Sequence, residues 1–265
     1  MTHSEVFSPR PCPLCGGSER TPLLARDQFE LVQCKTCTMV YVAMECSYEE
    51  QASGYDWPQR YLQERARRQR EHPILLFLSG LTRRLKPEMA DRLLTQTLRW
   101  RQSGKLVDFG CADGAFLAKA ARYFEVTGVE VNSRLAARAR QRLPKAEILP
   151  GPVTRVPLRE NNFDVVTQFS YLEHEWHPLE ALHVAWRILK PGGITVIKVP
   201  NYGSWNRYIL GDGWSGYRLP DHCNYFTPRT LRDMLARAGF HSLHGSFLDR
   251  LPTSDTLWMA AEKPA

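Results

Sequence analysis

The alternation of apolar and polar positions becomes regular after residue 104 and stays so nearly to the end. Short runs of branched and aromatic residues predict strands at 106–109, 126–131, 147–149, 163–168 and 194–199. Between them, helical spacing predicts helices at 115–122, 133–143 and 178–189. Strands alternating with helices in this way join as parallel neighbours, so the pattern predicts an α/β fold with a doubly wound, mostly parallel sheet. After Pro228 a helix at 229–238 precedes two further strands, 240–247 and 256–261. Residues 49–101 follow another rule. The stretch 60–70 is charged and helix-forming, Pro73 restarts the chain, and 74–81 is almost wholly apolar. Within 88–100, Met89, Leu93, Leu94 and Leu98 recur near helical spacing. This predicts a helical connector whose apolar part either packs on the main domain or covers a lipid-like substrate.

Ahead of the connector, cysteine spacing replaces periodicity. Cys12-x2-Cys15 and Cys34-x2-Cys37 are separated by eighteen residues, the arrangement in which two thiolate pairs hold one tetrahedral zinc ion in a zinc ribbon. Gly16-Gly17 supplies a turn, and 29–32 and 39–42 read as short strands. A unit this small cannot build a sufficient core, so metal binding is expected to supply its folding energy. A redox role for such motifs needs one CxxC beside a βαβ unit rather than two facing knuckles. Cys46, Cys111 and Cys223 read as ordinary thiols. The 265 residues thus divide into a zinc ribbon at 1–48, a basic helical connector at 49–101 and an α/β domain at 102–265.

The net charge of +7 sits in one place, because residues 60–105 hold twelve Lys/Arg against four Asp/Glu. Such a segment can meet phosphate on RNA, on a nucleotide-linked sugar or on a lipid surface, or an acidic carrier protein, or it is a solvated helix face. No run of about 18 apolar residues predicts a transmembrane segment. The opening MTHSEVFSPRPC lacks the apolar core of a secretion signal, so a cytoplasmic location is expected.

The densest chemistry lies at 106–117, LVDFGCADGAFL. Asp108 ends a buried strand, and Gly110, Ala112 and Gly114 follow at alternate positions, where the backbone must pass close to a ligand and the next helix opens with unpaired N–H groups. Glu130 ends the next strand 22 residues later, near the roughly 20-residue offset of a ribose-binding acid. The acid precedes the first glycine, giving D-x-G-x-A-x-G instead of the dinucleotide pattern G-x-G-x-x-G. This segment resembles motif I of the class I S-adenosylmethionine (SAM) methyltransferases. The blocks FDVVTQFSYLEHEWHP, ILKPGGITVIKVPN and HCNYFTPRTLRDMLARAGF extend the resemblance over nearly the whole chain. They are similar to the zinc-ribbon-bearing branch often seen with polysaccharide and natural-product genes.

The resemblance implies a Rossmann-like fold with an antiparallel last strand, and SAM as cofactor. Asp108, Gly110, Ala112 and Gly114 would hold its methionine part and Glu130 its ribose hydroxyls. Ala112 stands where the family usually has glycine, and its methyl is expected to crowd the cofactor slightly. The family often places an acid after the third strand to meet adenine. Here Gly151-Pro152-Val153 follows, leaving adenine to the backbone and to packing around Val153. Gln168 and Phe169, ending the fourth strand, complete the expected cofactor set.

Two histidines are candidate catalytic residues. His174 lies in Glu173-His174-Glu175-Trp176-His177, a partial match to the E-x-x-E-H metal pattern, with Ser170 where the first acid would stand. A second metal, a structural hydrogen bond and general-base work are the three readings. His222 lies in RLPDHCNYF, 218–226. The surrounding residues 202–226 hold seven aromatics interleaved with Gly203, Gly211, Gly213 and Gly216, which predicts a mobile aromatic lid. There His222 either takes a proton from an acceptor hydroxyl or holds the lid. The expected reaction is methyl transfer from SAM to an oxygen of a small-molecule or glycosylated acceptor. Two alternatives stand beside it: an RNA methyltransferase using the connector and ribbon, and a non-catalytic module that keeps the fold.

Overall fold

The structure, a computed structural model, describes residues 8–26, 29–45, 66, 70, 88–243 and 253–265. The expectations for 49–65, 67–69, 71–87 and 244–247, and for Cys46, lie outside the described residues, and with them most of the basic connector. The N-terminal unit contains the strands Ser8–Pro9 (β1), Arg20–Arg26 (β2), Phe29–Cys34 (β3), Val40–Val42 (β4) and Met44–Glu45 (β5). The helix Met89–Leu98 (α1) then leads into the α/β domain: Gly104–Phe109 (β6), Ala115–Ala120 (α2), Phe124–Glu130 (β7), Ser133–Arg142 (α3), Glu147–Pro150 (β8), Phe163–Phe169 (β9), Pro178–Ile188 (α4) and Leu189–Pro200 (β10). The remainder is Trp205–Leu210 (α5), Asn224–Tyr225 (β11), Pro228–Arg237 (α6), His241–Leu243 (β12) and Thr256–Glu262 (β13).

Seven strands form one sheet in the order β12-β13-β10-β9-β6-β7-β8. Strands β6 to β10 are mutually parallel, and β13 runs antiparallel between β10 and β12. The order reverses at β6, so the crevice between the carboxyl ends of β6, β7 and β9 is where an open α/β sheet binds ligands. Period-two alternation sorts the strands onto two faces. Leu106, Val126, Val165 and Val196 pack with Leu93 of α1, Phe116 and Leu117 of α2 and Ala136 of α3. Val107, Val129, Val166 and Ile197 pack with Leu182 of α4 and Leu231 of α6. Helices on both faces make the sheet doubly wound, as the pattern predicts.

Packing extends one expectation and corrects another. Cys12, Leu14, Val32, Cys34, Met39 and Tyr41 of the first unit join the same core cluster as Val107 and Leu231, so the ribbon has no separate core of its own. Its sheet, in the order β11-β4-β3-β2, even takes its outer strand from the far end of the chain. The aromatic stretch 202–226 is not a mobile lid. Tyr202, Trp214, Tyr217, Tyr225 and Phe226 are buried, and only Trp205 and Tyr208 are exposed. The pairing of β11 with β4 gives these rings a wall to pack on: Tyr202, Trp214, Tyr217 and Tyr225 cluster with Leu31, Val40 and Trp176, and Phe226 joins the larger core.

Candidate active site and thiolate cluster

Alternation carries Asp108 and Glu130 to the α2/α3 face at the carboxyl ends of neighbouring strands. Both are buried, at 4% and 7% exposed. Asp108 Oδ1 accepts from Thr167 Oγ1 on β9 at 2.7 Å. Burial pushes its carboxyl from the ordinary 3.8 up to about 7; the Thr167 hydroxyl opposes the rise and the Glu130 charge adds to it. Glu130 is likewise raised by burial, against the backbone N–H groups of Asn132, Ala112 and Val131, which favour its charge. Of these, Ala112 lies 2.9 Å from Oε2 and Asn132 2.8 Å from Oε1. Between the two acids Gly110, Ala112 and Gly114 adopt φ of 73°, 49° and 77°. Left-handed backbone at alternate positions turns successive N–H groups inward, and the bond to Glu130 holds Ala112 in a conformation that an L residue resists. A Cβ at Gly110 would lie 2.9 Å from Tyr171 Cδ2, so glycine there lets the loop after β9 rest on this turn.

The rest of the expected cofactor set divides by face. Phe169 shares the face of Asp108 and packs edge-on against Phe116 and Trp258, at centroid distances of 5.0 and 5.8 Å. Gln168 points to the opposite face, where its amide donates to Thr195 Oγ1 at 3.0 Å. Val153 is buried in that same opposite core, against which Leu149 and Val156 also pack. The N–H of Ala115 is taken by Asp113 Oδ1 at 3.2 Å, so this first donor of α2 is not left for a ligand. Thr167 was no sequence candidate; the available signal was that it alternates in phase with Val165.

The two histidines, far apart in sequence, meet beside this crevice. Their rings are 4.8 Å apart at 79°. His222 is buried, and its Nδ1 lies 2.8 Å from the Gly216 carbonyl. A carbonyl only accepts, so Nδ1 carries the proton and Nε2 is the basic nitrogen. His174 bonds the backbone of Asp221, while burial and the Arg218 charge drive its pKa down to about 3. Glu173 is 1% exposed, and among the described residues its Oε2 has no hydrogen-bond partner. Burial pushes its carboxyl up to about 7, against the charges of Lys198 and Arg218. Ligand atoms of Glu173, His174 and His222 all lie within 4.8 Å of one another. Ser170, at the first acid position of the metal pattern, instead accepts from Lys198 Nζ at 2.6 Å, which puts a cation where that pattern needs an anion.

The four sulfurs of Cys12, Cys15, Cys34 and Cys37 also lie within 4.8 Å of one another, with Cys12–Cys37 and Cys15–Cys34 at 3.4 Å. Thiolates bound at about 2.3 Å around a tetrahedral ion stand about 3.8 Å apart, so the donor set fits one zinc. The knuckles share a backbone pattern: Gly16 N–H donates to the Cys12 carbonyl at 2.8 Å and Thr38 N–H to that of Cys34 at 3.0 Å. Both donors are left-handed, Gly16 at φ 74° and Thr38 at φ 64°.

A sequence model for a methyltransferase domain matches residues 81–244. A probable SAM-dependent methyltransferase of Mycolicibacterium smegmatis is 29% identical over 149 residues, covering 55% of this chain and 55% of that protein. A ubiquinone biosynthesis O-methyltransferase of Cereibacter sphaeroides is 28% identical over 173 residues, covering 61% of this chain and 69% of its own length. The chain spans about half the length of the first curated relatives it matches. The crystal structure of a SAM-dependent methyltransferase from Archaeoglobus fulgidus shares the fold at a TM-score of 0.53 and 19% identity, over 66% of this chain and 92% of that one. With more than half of its residues matched by the family model, on a Rossmann-like α/β sheet, the chain belongs to the methyltransferase domain family.

Proposed function

We propose that the chain is a SAM-dependent methyltransferase acting on an oxygen of a small-molecule or glycosylated acceptor. The observation that carries this reading is the pair of buried carboxylates, Asp108 and Glu130, flanking a left-handed turn at the switch point of the sheet. Two acids forced toward neutrality by burial suit a ligand that brings positive charge and hydroxyl donors together. When bound, SAM supplies an electrophilic methyl group on a sulfonium. Asp108 and the left-handed turn 110–114, where glycine lets a ligand approach the backbone, would hold its amino-acid part, and Glu130 its ribose. Phe169 borders the same face, whereas Gln168 and Val153 would contribute only through the core behind it. His222, with Nδ1 committed to Gly216, presents Nε2 to remove the acceptor proton, and His174 packs against it as the second candidate. The Cereibacter sphaeroides O-methyltransferase supports oxygen as the atom modified. Four thiolates from Cys12, Cys15, Cys34 and Cys37 would hold zinc. The units 1–48, 49–101 and 102–265 remain our division of the chain, with the first and last sharing a core. No described helix is long and apolar enough to cross a membrane. Calorimetry of the purified chain with SAM, followed by methyl-transfer assays on phenolic and sugar acceptors, tests the reading. Absence of saturable SAM binding would refute it.

A further inference from the structure

We infer that the cysteine unit is a wall of the acceptor site and that Asn224 is the residue that positions the site against it. The inference rests on the reading that His174 and His222, with Glu173 beside them, face the acceptor. Strand β11, two residues past His222, completes the sheet of the cysteine unit: Asn224 pairs with Tyr41, Tyr225 pairs with Val40, and the Val42 N–H donates to the Cys223 carbonyl at 2.9 Å. On its other side the same segment grips the loop that carries Glu173 and His174. The N–H groups of Cys223 and Asn224 donate to the Glu173 carbonyl at 2.7 and 3.2 Å.

The Asn224 side chain, 1% exposed, fastens three pieces at once. Its Nδ2 donates to the carbonyls of Leu172 at 2.7 Å and Glu175 at 2.6 Å, which uses both of its protons. Its Oδ1 accepts from Nη2 of Arg10 in the cysteine unit. Arg10 is itself buried, tied by its N–H to the Ala43 carbonyl, with its guanidinium over the rings of Tyr41 and Trp176. An amide is required here, since only it offers two donors and one acceptor in a single plane. The cofactor turn is held differently: Gly110 and Cys111 donate to the Val129 carbonyl and Ala112 to Glu130, all within the large sheet. Withdrawing the cation loosens the small unit and with it the pairing of β4 and β11. Glu173 and His222 then lose their registration while Asp108 and Glu130 keep theirs.

The test follows two quantities in the zinc-loaded full chain: SAM affinity by calorimetry, and the Nδ1–H proton resonance of His222, assigned by its absence in His222→Gln. Asn224→Asp keeps the acceptor for Arg10 but loses both donors. In that variant, and in wild-type chain titrated with a chelator, the His222 resonance is expected to vanish while SAM affinity stays within about twofold. Restoring zinc restores the resonance. A resonance that survives zinc removal, or SAM affinity that falls in step with zinc content, overturns the coupling. If Asn224→Asp does not fold, the wild-type titration reads the same two quantities. A wild-type chain that binds no SAM refutes the cofactor reading instead, and the His222 resonance still measures the coupling.

Discussion

Replacing Asp108 by asparagine separates what the carboxylate costs the fold from what it does for a ligand. In the folded chain burial carries its pKa from 3.8 to about 7, with the Thr167 hydroxyl opposing and the Glu130 charge adding. At about 1.4 kcal/mol for each pH unit, that displacement costs folding about 4 kcal/mol once the group is ionised. Between the two values the folded chain holds a proton that the unfolded chain has lost, so stability falls as pH rises. The cost is absent below about pH 4 and complete above about pH 7. Asparagine keeps an acceptor for Thr167 and carries no charge, but it brings a buried NH2 group that costs about 1–3 kcal/mol if unpaired. Without ligand, Asp108→Asn is therefore expected to be about 1–3 kcal/mol more stable than wild type at pH 8, and the gap should close toward pH 5. Urea melts of both chains across this range measure it. Taking the difference cancels His174, whose lowered pKa acts in the opposite sense by removing stability as pH falls below 6.5. The variant should also bind SAM at least about tenfold more weakly, because it loses a charge-assisted contact of about 1.5–3 kcal/mol. A stability difference that does not change with pH would refute burial as the origin of the shift.

Glu130→Gln keeps an acceptor for only one of the Ala112 and Asn132 N–H groups and turns a donor on the other. It should lose about 1–3 kcal/mol of stability as well as SAM affinity, and unchanged melts would show that the cofactor turn does not depend on it. Thr38→Gly relieves a left-handed β-branched residue in the second knuckle, a gain of roughly 1–2 kcal/mol. Slower zinc loss to a chelator is the expected readout, and an unchanged rate would place the strain elsewhere. His222→Gln should lower turnover by about 10²- to 10⁴-fold with SAM affinity retained. If the acceptor KM rises and kcat holds, His222 only shapes the site.

The sheet was legible in the sequence because alternation and helical spacing are local properties: the parallel strands 106–109, 126–131, 147–149, 163–168 and 194–199 all lie within one or two residues of observed strands, except that β10 begins earlier, at Leu189. The cysteine spacing and the acids Asp108 and Glu130 were legible for the same reason, since a CxxC knuckle and a strand-end acid each need only a few consecutive residues. Their hydrogen bonds were not. That Glu130 serves two backbone N–H groups, and that Asp108 leans on Thr167, depends on the register between strands. The aromatic stretch was misread for a related reason. Glycines interleaved with aromatic residues look mobile until a partner covers them, and that partner is β4, contributed from the other end of the chain. Arg10 and Asn224 carried no signal at all, because a polar residue becomes a clasp only when folding buries it among carbonyls it could not have found locally. The sequence by itself determined the strands and the turn, each set by short-range geometry. Only the tertiary structure decided that the cysteine unit and the histidine-bearing segments are joined through β11, because that contact joins segments whose order along the chain says nothing about their distance in space.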